Sequence, residues 1–572
     1  MGPQSHVDHA SGLKNHGIHL PAGAKPAPTI SKDGDSVKTV EDPRLANLDE
    51  FRGQSVARLG QLVLQAAFRE GLLEGARFSS GGQTLTWRRG EHAVTVPGRI
   101  TASGDRLWID RRQWNPDLEG LLSEVQAVAD LDDGDAWRAF CAEIREGVAT
   151  QQAAYSLARL RKEPKSYLDF EAWTPEGHNL HPGAKTRQGF SEQDQLNYGP
   201  EFSEAIELPW LAVSRELLDI SGEIPEEFSL DDKTWKVPVH PWQLKNVIPR
   251  LYHKEWESGA LRLHQEAPLV CRLCTSLRTV VPEDSRFPVL KTSVGSLMTS
   301  TERSMSRYTV LQGPLYSEYF DRIEEQAPEL FENVVALRER GGFCFAQDGD
   351  SPRSRNLSLL FRQRPPQQDS GVAVPCSALP QPCWNGSGTY LRHFFGRSGD
   401  PLASFTRYLE ILIPFHIRLY LRFGLALEAH LQNCVVVWEE SGPVGLWVRD
   451  WGGLRADRER LRELAPDLEA RLDARSVTAR TAEAAEKKLI ACLYCNHITE
   501  IVSGLENEFG LSSSDLWKNV ARVSRESFQG YPRTTLAGRI FDQDWPVKCL
   551  LKMRLGMGQG DVYRLRANPL RA

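Results

Sequence analysis

The stretch EAHLQNCVVVWEESGPVGLWVRDWGG, residues 428–453, sets a Glu, a His, an Asn and an Asp around two apolar runs. Cys434 to Trp438 and Val444 to Arg449 read as strands, and Glu439 to Pro443 between them is rich in turn residues, so the pattern predicts an antiparallel hairpin. With the turn centred near Ser441 and Gly442, Asn433 falls across from Asp450, the two side chains about 5 Å apart. Glu428 and His430 arrive from the preceding loop. Glu428, Asn433 and Asp450 offer the hard oxygen donors that Mg2+ takes when it also holds phosphate oxygens, and His430 adds a hydrogen-bond donor. A solvated turn network is the alternative use of the same groups.

Phosphates would need cations, and residues 275–307, TSLRTVVPEDSRFPVLKTSVGSLMTSTERSMSR, supply them. Ser276, Arg278 and Thr279, then Lys291, then Thr299, Ser300 and Arg303 alternate hydroxyls with guanidinium forks and a lysine point charge, a set able to orient a triphosphate. Leu277, Val289, Leu290, Val294 and Leu297 make these strands partly buried, so inward basic residues need an anionic partner; a solvent-facing ladder is the alternative. No P-loop or kinase-type glycine loop precedes the hairpin. A His and an Asn before a hairpin and an Asp after it also occur in kinase-like phosphotransferases, so the constellation signals metal-bound ATP rather than one reaction.

A third group, GHNLHPGAKTRQGF at 177–190, gathers His178, His181, Lys185 and Arg187 on an irregular backbone. These four suit a carboxylate-rich substrate. Zinc on the two histidines would be repelled by the neighbouring Lys and Arg, and an ordinary surface loop is the plainer reading. HPWQ at 240–243 reads as loop packing. The CxxC pairs Cys271/Cys274 and Cys492/Cys495 lack the Gly or Pro of a zinc knuckle and read as reduced cysteines in helix or strand packing.

The elements that must position these groups follow from periodicity. Residues 1–43 lack it and read as a flexible tail, in which His6, His9, His16 and His19 have no preformed metal cage. From Leu45 a helical pattern begins, with Leu48, Phe51, Leu59, Leu62, Val63 and Ala66. Phe78, Leu85, Trp87, Val94, Val96, Leu107 and Ile109 then alternate between Gly-rich turns, a β meander. Helical spacing resumes from 118 to 162, and 165–360 is mixed. Residues 363–388 hold five Pro and read as an exposed loop or linker. A long helix is expected from Phe405 to about Leu425, then short strands, then helices from Val477 to the end. The class is α+β.

Composition narrows the function. In 572 residues, 69 Lys+Arg stand against 75 Asp+Glu, for a net charge of −6, which argues against nucleic acid as the main partner while leaving room for a basic pocket. The most apolar stretch, Leu409 to Leu427, is broken by Pro414, His416, Arg418 and Arg422 and is no lipid-facing span. Met1 to Pro43 holds no apolar run of signal-peptide length, so the expected location is the cytoplasm, with no membrane partner.

Taken in order, GHxxHPxxKxRxGF (Gly177 to Phe190), HPWQ, SLRT with Lys291 and TSTER (Ser276 to Arg303), EAHxQN (Glu428 to Asn433), RDWGG (Arg449 to Gly453) and KCLLKMRL (Lys548 to Leu555) resemble the NRPS-independent siderophore synthetases of the aerobactin-type IucA/IucC family. The resemblance spans roughly 165–555. Asn179 stands where the family usually has Pro. The resemblance implies a three-part hand with antiparallel sheets and a helical C-terminal region: a thumb at 44–164, fingers at 165–365 and a palm at 366–572, in a homodimer. It implies that a carboxylate of citrate, succinate or a related polyacid attacks the α-phosphate of ATP, and that an amine, hydroxylamine or alcohol then displaces AMP. Ser276, Arg278, Thr279, Lys291, Thr299, Ser300, Arg303, His430, Asn433 and Asp450 would bind ATP, with Arg303 and His430 catalytic at the α-phosphate. Glu428, Asn433 and Asp450 would hold Mg2+. His178, His181, Lys185 and Arg187 would hold the substrate carboxylate, and Lys552 and Arg554 would close the nucleotide end. A small-molecule phosphotransferase, making ADP, and a non-catalytic nucleotide sensor are the competing readings.

Overall fold

The computed structural model describes residues 48–571 apart from 80–81, 102–105, 300, 348, 369, 474, 477, 532–533 and 559. The expected tail at 1–43 with its four histidines lies outside the described residues, and so does Ser300. The described part belongs to one compact unit, Asp42–Ala572.

Alternation and helical spacing in the N-terminal region give what they predict. Helices Arg52–Arg69, Leu118–Val128 and Asp135–Ala158 pack with a four-stranded antiparallel meander whose strands follow chain order, Arg77–Phe78, Thr84–Arg89, His92–Ile100 and Leu107–Ile109. Leu85, Trp87, Phe140 and Ile144 fill its core, joined by Leu551 from the far end of the chain.

The middle of the chain forms a seven-stranded antiparallel sheet. Across it run Ala205–Leu208, Leu269–Leu273, Thr279–Pro282, Val289–Thr292, Ser358–Arg362, Glu339–Phe345 and Leu218–Gly222. Opposed residues share a face. Thr279 faces Lys291, Lys291 faces Leu360, and Arg362, two residues on from Leu360, faces Glu339. Thr279, Lys291, Arg362 and Glu339 therefore line one side. The other side carries Leu290 and Phe361, packed with Phe228, Phe287 and Phe343.

The hairpin expected near the chain's last third is present as Cys434–Glu439 and Gly442–Val448, at the centre of a four-stranded sheet between Val334–Ala336 and Val372–Pro375. Its residues alternate between two apolar environments: Cys434, Val436 and Trp438 enter the largest core, while Val435, Val437 and Trp447 form a separate cluster on the opposite face. The long helix runs Pro401–Phe423; the Asp400 side chain accepts from Ala403 N–H at 3.0 Å at its start, and Gly424 at φ 70° ends it.

Two expectations fail. Residues 363–388 are no exposed linker, because Val372–Pro375 pairs with the hairpin and Cys376 and Leu379 are fully buried. Proline density there marks turns flanking a short apolar run, not solvent exposure. The C-terminus is not helical throughout either: Trp545–Lys548 and Tyr563–Arg566 form an antiparallel pair around the short helix Leu550–Arg554. Among the described residues no helix is long and apolar enough to cross a membrane. All ten cysteines are buried and outside any disulfide, Cys271 in a strand and Cys495 in the largest core.

Candidate active site

The charged face of the central sheet meets the end of the hairpin. Lys291 Nζ donates to both oxygens of Asp450, at 2.8 and 2.7 Å, and Arg362 Nη2 lies 3.6 Å from the same carboxylate while donating to Glu339 at 3.0 Å. Burial works against ionising Asp450, but Lys291 and Arg362 outweigh it and hold the carboxyl far below its usual range. The backbone at Asp450 takes φ 73°, left-handed for a residue with a side chain, a cost of about 1–3 kcal/mol. Lys291 on both oxygens and the Gly452 N–H donating to Oδ1 at 3.3 Å hold it there.

The register differs from expectation. The turn is centred on Glu440 and Ser441, one residue early, and a bulge between Val437 and Trp438 recovers half of the difference. Asn433 therefore sits across from Arg449, whose N–H donates to Asn433 O at 3.2 Å, and not across from Asp450. Asn433 and Asp450 still border the same cleft. Arg449 turns into the protein: its guanidinium donates to Gln432 O, to the Tyr167 hydroxyl at 2.7 Å and to Glu171, whose other oxygen accepts from Thr275 N–H at 3.1 Å. Glu171 thus ties the hairpin to the start of the Thr275–Arg303 cluster.

Within that cluster, Arg278 Nη1 donates to the carbonyls of Arg303 and Ser304 at 2.8 and 2.6 Å, Arg303 Nη2 donates to Thr299 Oγ1 at 2.7 Å, and Ser276 Oγ donates to Thr279 Oγ1 at 2.7 Å. On the opposite wall Glu428 pairs with Lys488, and Asn433 Nδ2 donates to Glu428 O at 3.1 Å. Burial opposes ionisation of Glu428, yet Lys488 and His430 bring its carboxyl down to about 2. Gly453 packs against this carboxylate so closely that a Cβ there would lie 1.6 Å from Glu428 Oε2, so a larger residue would displace the Glu428 side chain.

These walls enclose a cleft of about 630 Å³ lined by ten Lys or Arg and six Asp or Glu, a cationic excess suited to a polyphosphate. Ser276, Arg278, Thr279, Lys291, Arg303, Glu428, His430, Asn433 and Asp450 all line it. Sequence reasoning missed Arg355, Arg362, Arg455, Arg475, Lys488 and Lys548. Lys552 and Arg554 are elsewhere: Arg554 Nε donates to Glu143 at 2.8 Å and Lys552 N–H to Glu70 at 2.7 Å. Lys548, paired with Asp561 at 2.8 Å, borders the cleft in their place.

A second cavity of about 260 Å³ adjoins the first, and Ser276, Arg303, His430 and Gln432 border both. His178, Asn179, His181, Lys185, Arg187 and Thr299 are among its other lining residues. His178 Nδ1 accepts from the N–H groups of Leu180 and His181 at 3.0 Å each, and His181 Nδ1 accepts from Gly183 N–H at 2.9 Å, so each neutral ring carries its proton on Nε2. The charged ends of Lys185 and Arg187 are already engaged by Glu201, at 2.8 Å to Lys185 and 2.8 Å from each of its oxygens to Arg187. Glu201 thus engages two of the four groups expected to face a carboxylate. Trp242 of HPWQ stacks on Phe190 with centroids 5.1 Å apart, which packs the end of the loop.

The buried carboxylates make a pH prediction. Burial opposes ionisation of Glu201, but Arg187 and Lys185 prevail and bring it from 4.5 down to about 2; Glu176 behaves alike, through Arg111 and Arg58. A depressed carboxyl contributes stability that is complete above its unfolded pKa and is lost as pH falls through its folded one. The urea midpoint is therefore expected to fall between pH 4.5 and about 2, with these groups contributing no slope near neutrality.

Residues 166–381 match the model of the IucA/IucC family, and residues 405–562 match the model described as ferric iron reductase FhuF-like transporter. The 2-[(L-alanin-3-ylcarbamoyl)methyl]-3-(2-aminoethylcarbamoyl)-2-hydroxypropanoate synthase of Staphylococcus aureus is 24% identical over 76% of this chain and 77% of its own. The citryl-spermidine/3,4-dihydroxybenzoyl-citryl-spermidine:spermidine ligase of Bacillus anthracis is 25% identical over 83% and 86%. Among solved structures, the petrobactin biosynthesis protein AsbB of Bacillus anthracis superposes with a TM-score of 0.81 at 20% identity, over 92% of this chain and 97% of that one. ATP-bound aerobactin synthetase IucA of Klebsiella pneumoniae does so with 0.76 at 19%, over 90% and 99%. These superpositions establish a shared mixed helix and sheet fold. The first match takes in Glu171, the 177–190 loop and the whole 275–303 cluster, so this part of the chain is similar to the IucA/IucC family.

Proposed function

We propose that the protein is an ATP-dependent ligase of siderophore biosynthesis that adenylates a polycarboxylate and couples it to an amine, hydroxylamine or alcohol in the cytoplasm. The observation that carries this reading is the pair of adjoining cavities with Arg303 and His430 on their common border. The strongly cationic cleft suits the triphosphate, and the smaller cavity suits the acid. A carboxylate oxygen of the acid attacks the α-phosphorus, the bond to the β-phosphate oxygen breaks, and pyrophosphate leaves with its electron pair. The nucleophile then attacks the acyl carbon, loses a proton, and AMP departs. Arg303 and His430 stand where charge develops on the α-phosphate, the position at which fixed donors lower a barrier most. Relatives named for joining citrate to spermidine or D-ornithine support an acid of the citrate type and an amine nucleophile.

Mg2+ suits the donor set. Glu428 and Asp450 keep 25% and 28% of their side-chain surface open although each is paired with a lysine, and Asn433 uses its amide nitrogen internally, leaving its oxygen as a donor. When bound, Mg2+ would neutralise phosphate charge and assist pyrophosphate departure. Asp450→Asn is expected to shift the Mg2+ titration roughly tenfold or more toward higher concentration; an identical titration would count against this donor set. The thumb, fingers and palm at 44–164, 165–365 and 366–572, and the homodimer, belong to the same proposal.

The test is the product. With ATP, Mg2+ and a panel of di- and tricarboxylates against polyamines and hydroxylamines, AMP and pyrophosphate are expected. ADP would establish a phosphotransferase, and ATP binding without turnover a sensor.

A further inference from the structure

Behind Glu428 and His430 lies a helix of unusual width. It begins as the α-helix Ala482–Leu489, continues through Ile490–Ile498 as a π-helix and returns to α-geometry at Thr499–Phe509. The wide pattern shows at its end, where both the N–H and the hydroxyl of Thr499 reach back five residues to Tyr494 O. Such turns are rare and gather at functional sites.

Two residues show what the width does. At about 100° per residue in an α-helix, Lys488 and His497 would project about 180° from one another. At about 82° per residue in a π-helix they return to roughly the same side. Both act on the same short segment. Lys488 pairs with the Glu428 carboxylate, and His497 Nδ1 lies 2.9 Å from Ala429 O, between the two residues that line the cleft. His497 is fully buried. A carbonyl only accepts, so Nδ1 carries the proton, and burial brings the imidazole down to about 3, leaving it neutral at working pH. Nε2 then accepts from the Tyr408 hydroxyl, which also lies 3.3 Å from Cys376 Sγ. One tautomer is fixed from both sides. Asn496, the residue before His497, borders the second cavity.

We propose that the π-helical segment Ile490–Ile498 is a positioning device for the active site, with His497 as the positioning residue that fixes Glu428, Ala429 and His430 through the Ala429 carbonyl. Its effect on turnover rests on the ligase reading above; the positioning itself does not.

The experiment compares full-length wild type with His497→Ala, His497→Asn, whose amide nitrogen can take the place of Nδ1, and Tyr408→Phe. In hydrogen exchange, peptides covering 426–433 are expected to exchange faster in His497→Ala and to regain most of their protection in His497→Asn, with helix 401–423 unchanged. In turnover, His497→Ala is expected to lose about 10- to 100-fold in kcat with little change in KM for ATP, and His497→Asn to recover part of the loss. Unchanged exchange at 426–433, or equal loosening of the whole chain in both His497 variants, would overturn the proposal. Should His497→Ala not fold, Tyr408→Phe decides by the same peptides: faster exchange at 426–433 supports the proposal and wild-type exchange overturns it. Wild type that releases no pyrophosphate with any acid would sink the ligase reading alone, since the exchange result stands without turnover.

Discussion

Arg303→Ala is expected to lower carboxylate-dependent pyrophosphate release by about 100- to 1000-fold, the cost of removing one fixed donor from a developing oxyanion. Arg303 is half-buried at the end of the short strand Thr301–Arg303, and among the described residues its side chain makes one hydrogen bond, to Thr299 Oγ1. The support it lends Arg278 comes from its backbone carbonyl and survives the substitution. The variant should therefore keep wild-type circular dichroism and urea midpoint while losing activity. Arg303→Lys keeps the charge without the planar fork and should recover only part of the rate. Turnover equal to wild type in Arg303→Ala would remove Arg303 from the reaction.

Glu171→Ala is expected to destabilise the fold by about 3–5 kcal/mol, because it strands a buried guanidinium. Glu171 is fully buried and Arg449 is 7% exposed, so the pair lies outside the class of surface ion pairs that contribute about 0–1 kcal/mol. The same change leaves Thr275 N–H without its carboxylate. Replacing both Glu171 and Arg449 with leucine removes the orphaned charge, and the double variant should regain part of the loss. Urea unfolding measures both. A loss under about 1 kcal/mol would show that water reaches Arg449 and that the pair is not buried in solution.

How much of this was legible in the chain depended on whether a feature is local. The hairpin strands followed from two apolar runs flanking a turn-rich break, and the expected donors on both halves of the cleft share one lining. The register did not follow, because a bulge at Val437 leaves no mark in an all-apolar run. Lys185 and Arg187 were visible as cations, but Glu201, which holds both, carries no signal of its own fourteen residues beyond Arg187. Lys488 had a signal that went unread: it lies on the buried side of an amphipathic helix, where a lysine needs an anion. The width of Ile490–Ile498 had none, since its residues suit an α-helix equally well. Val372–Pro375 was hidden by the prolines around it, though its VAV core carried the strand signal.

The border shared by the two cavities ties their occupants thermodynamically. An anion that neutralises Arg303 from one side alters what the other side can attract, and linkage makes the factor identical in both directions. Calorimetric titration of the acid with and without nucleotide, and of nucleotide with and without acid, must return one heterotropic coupling constant.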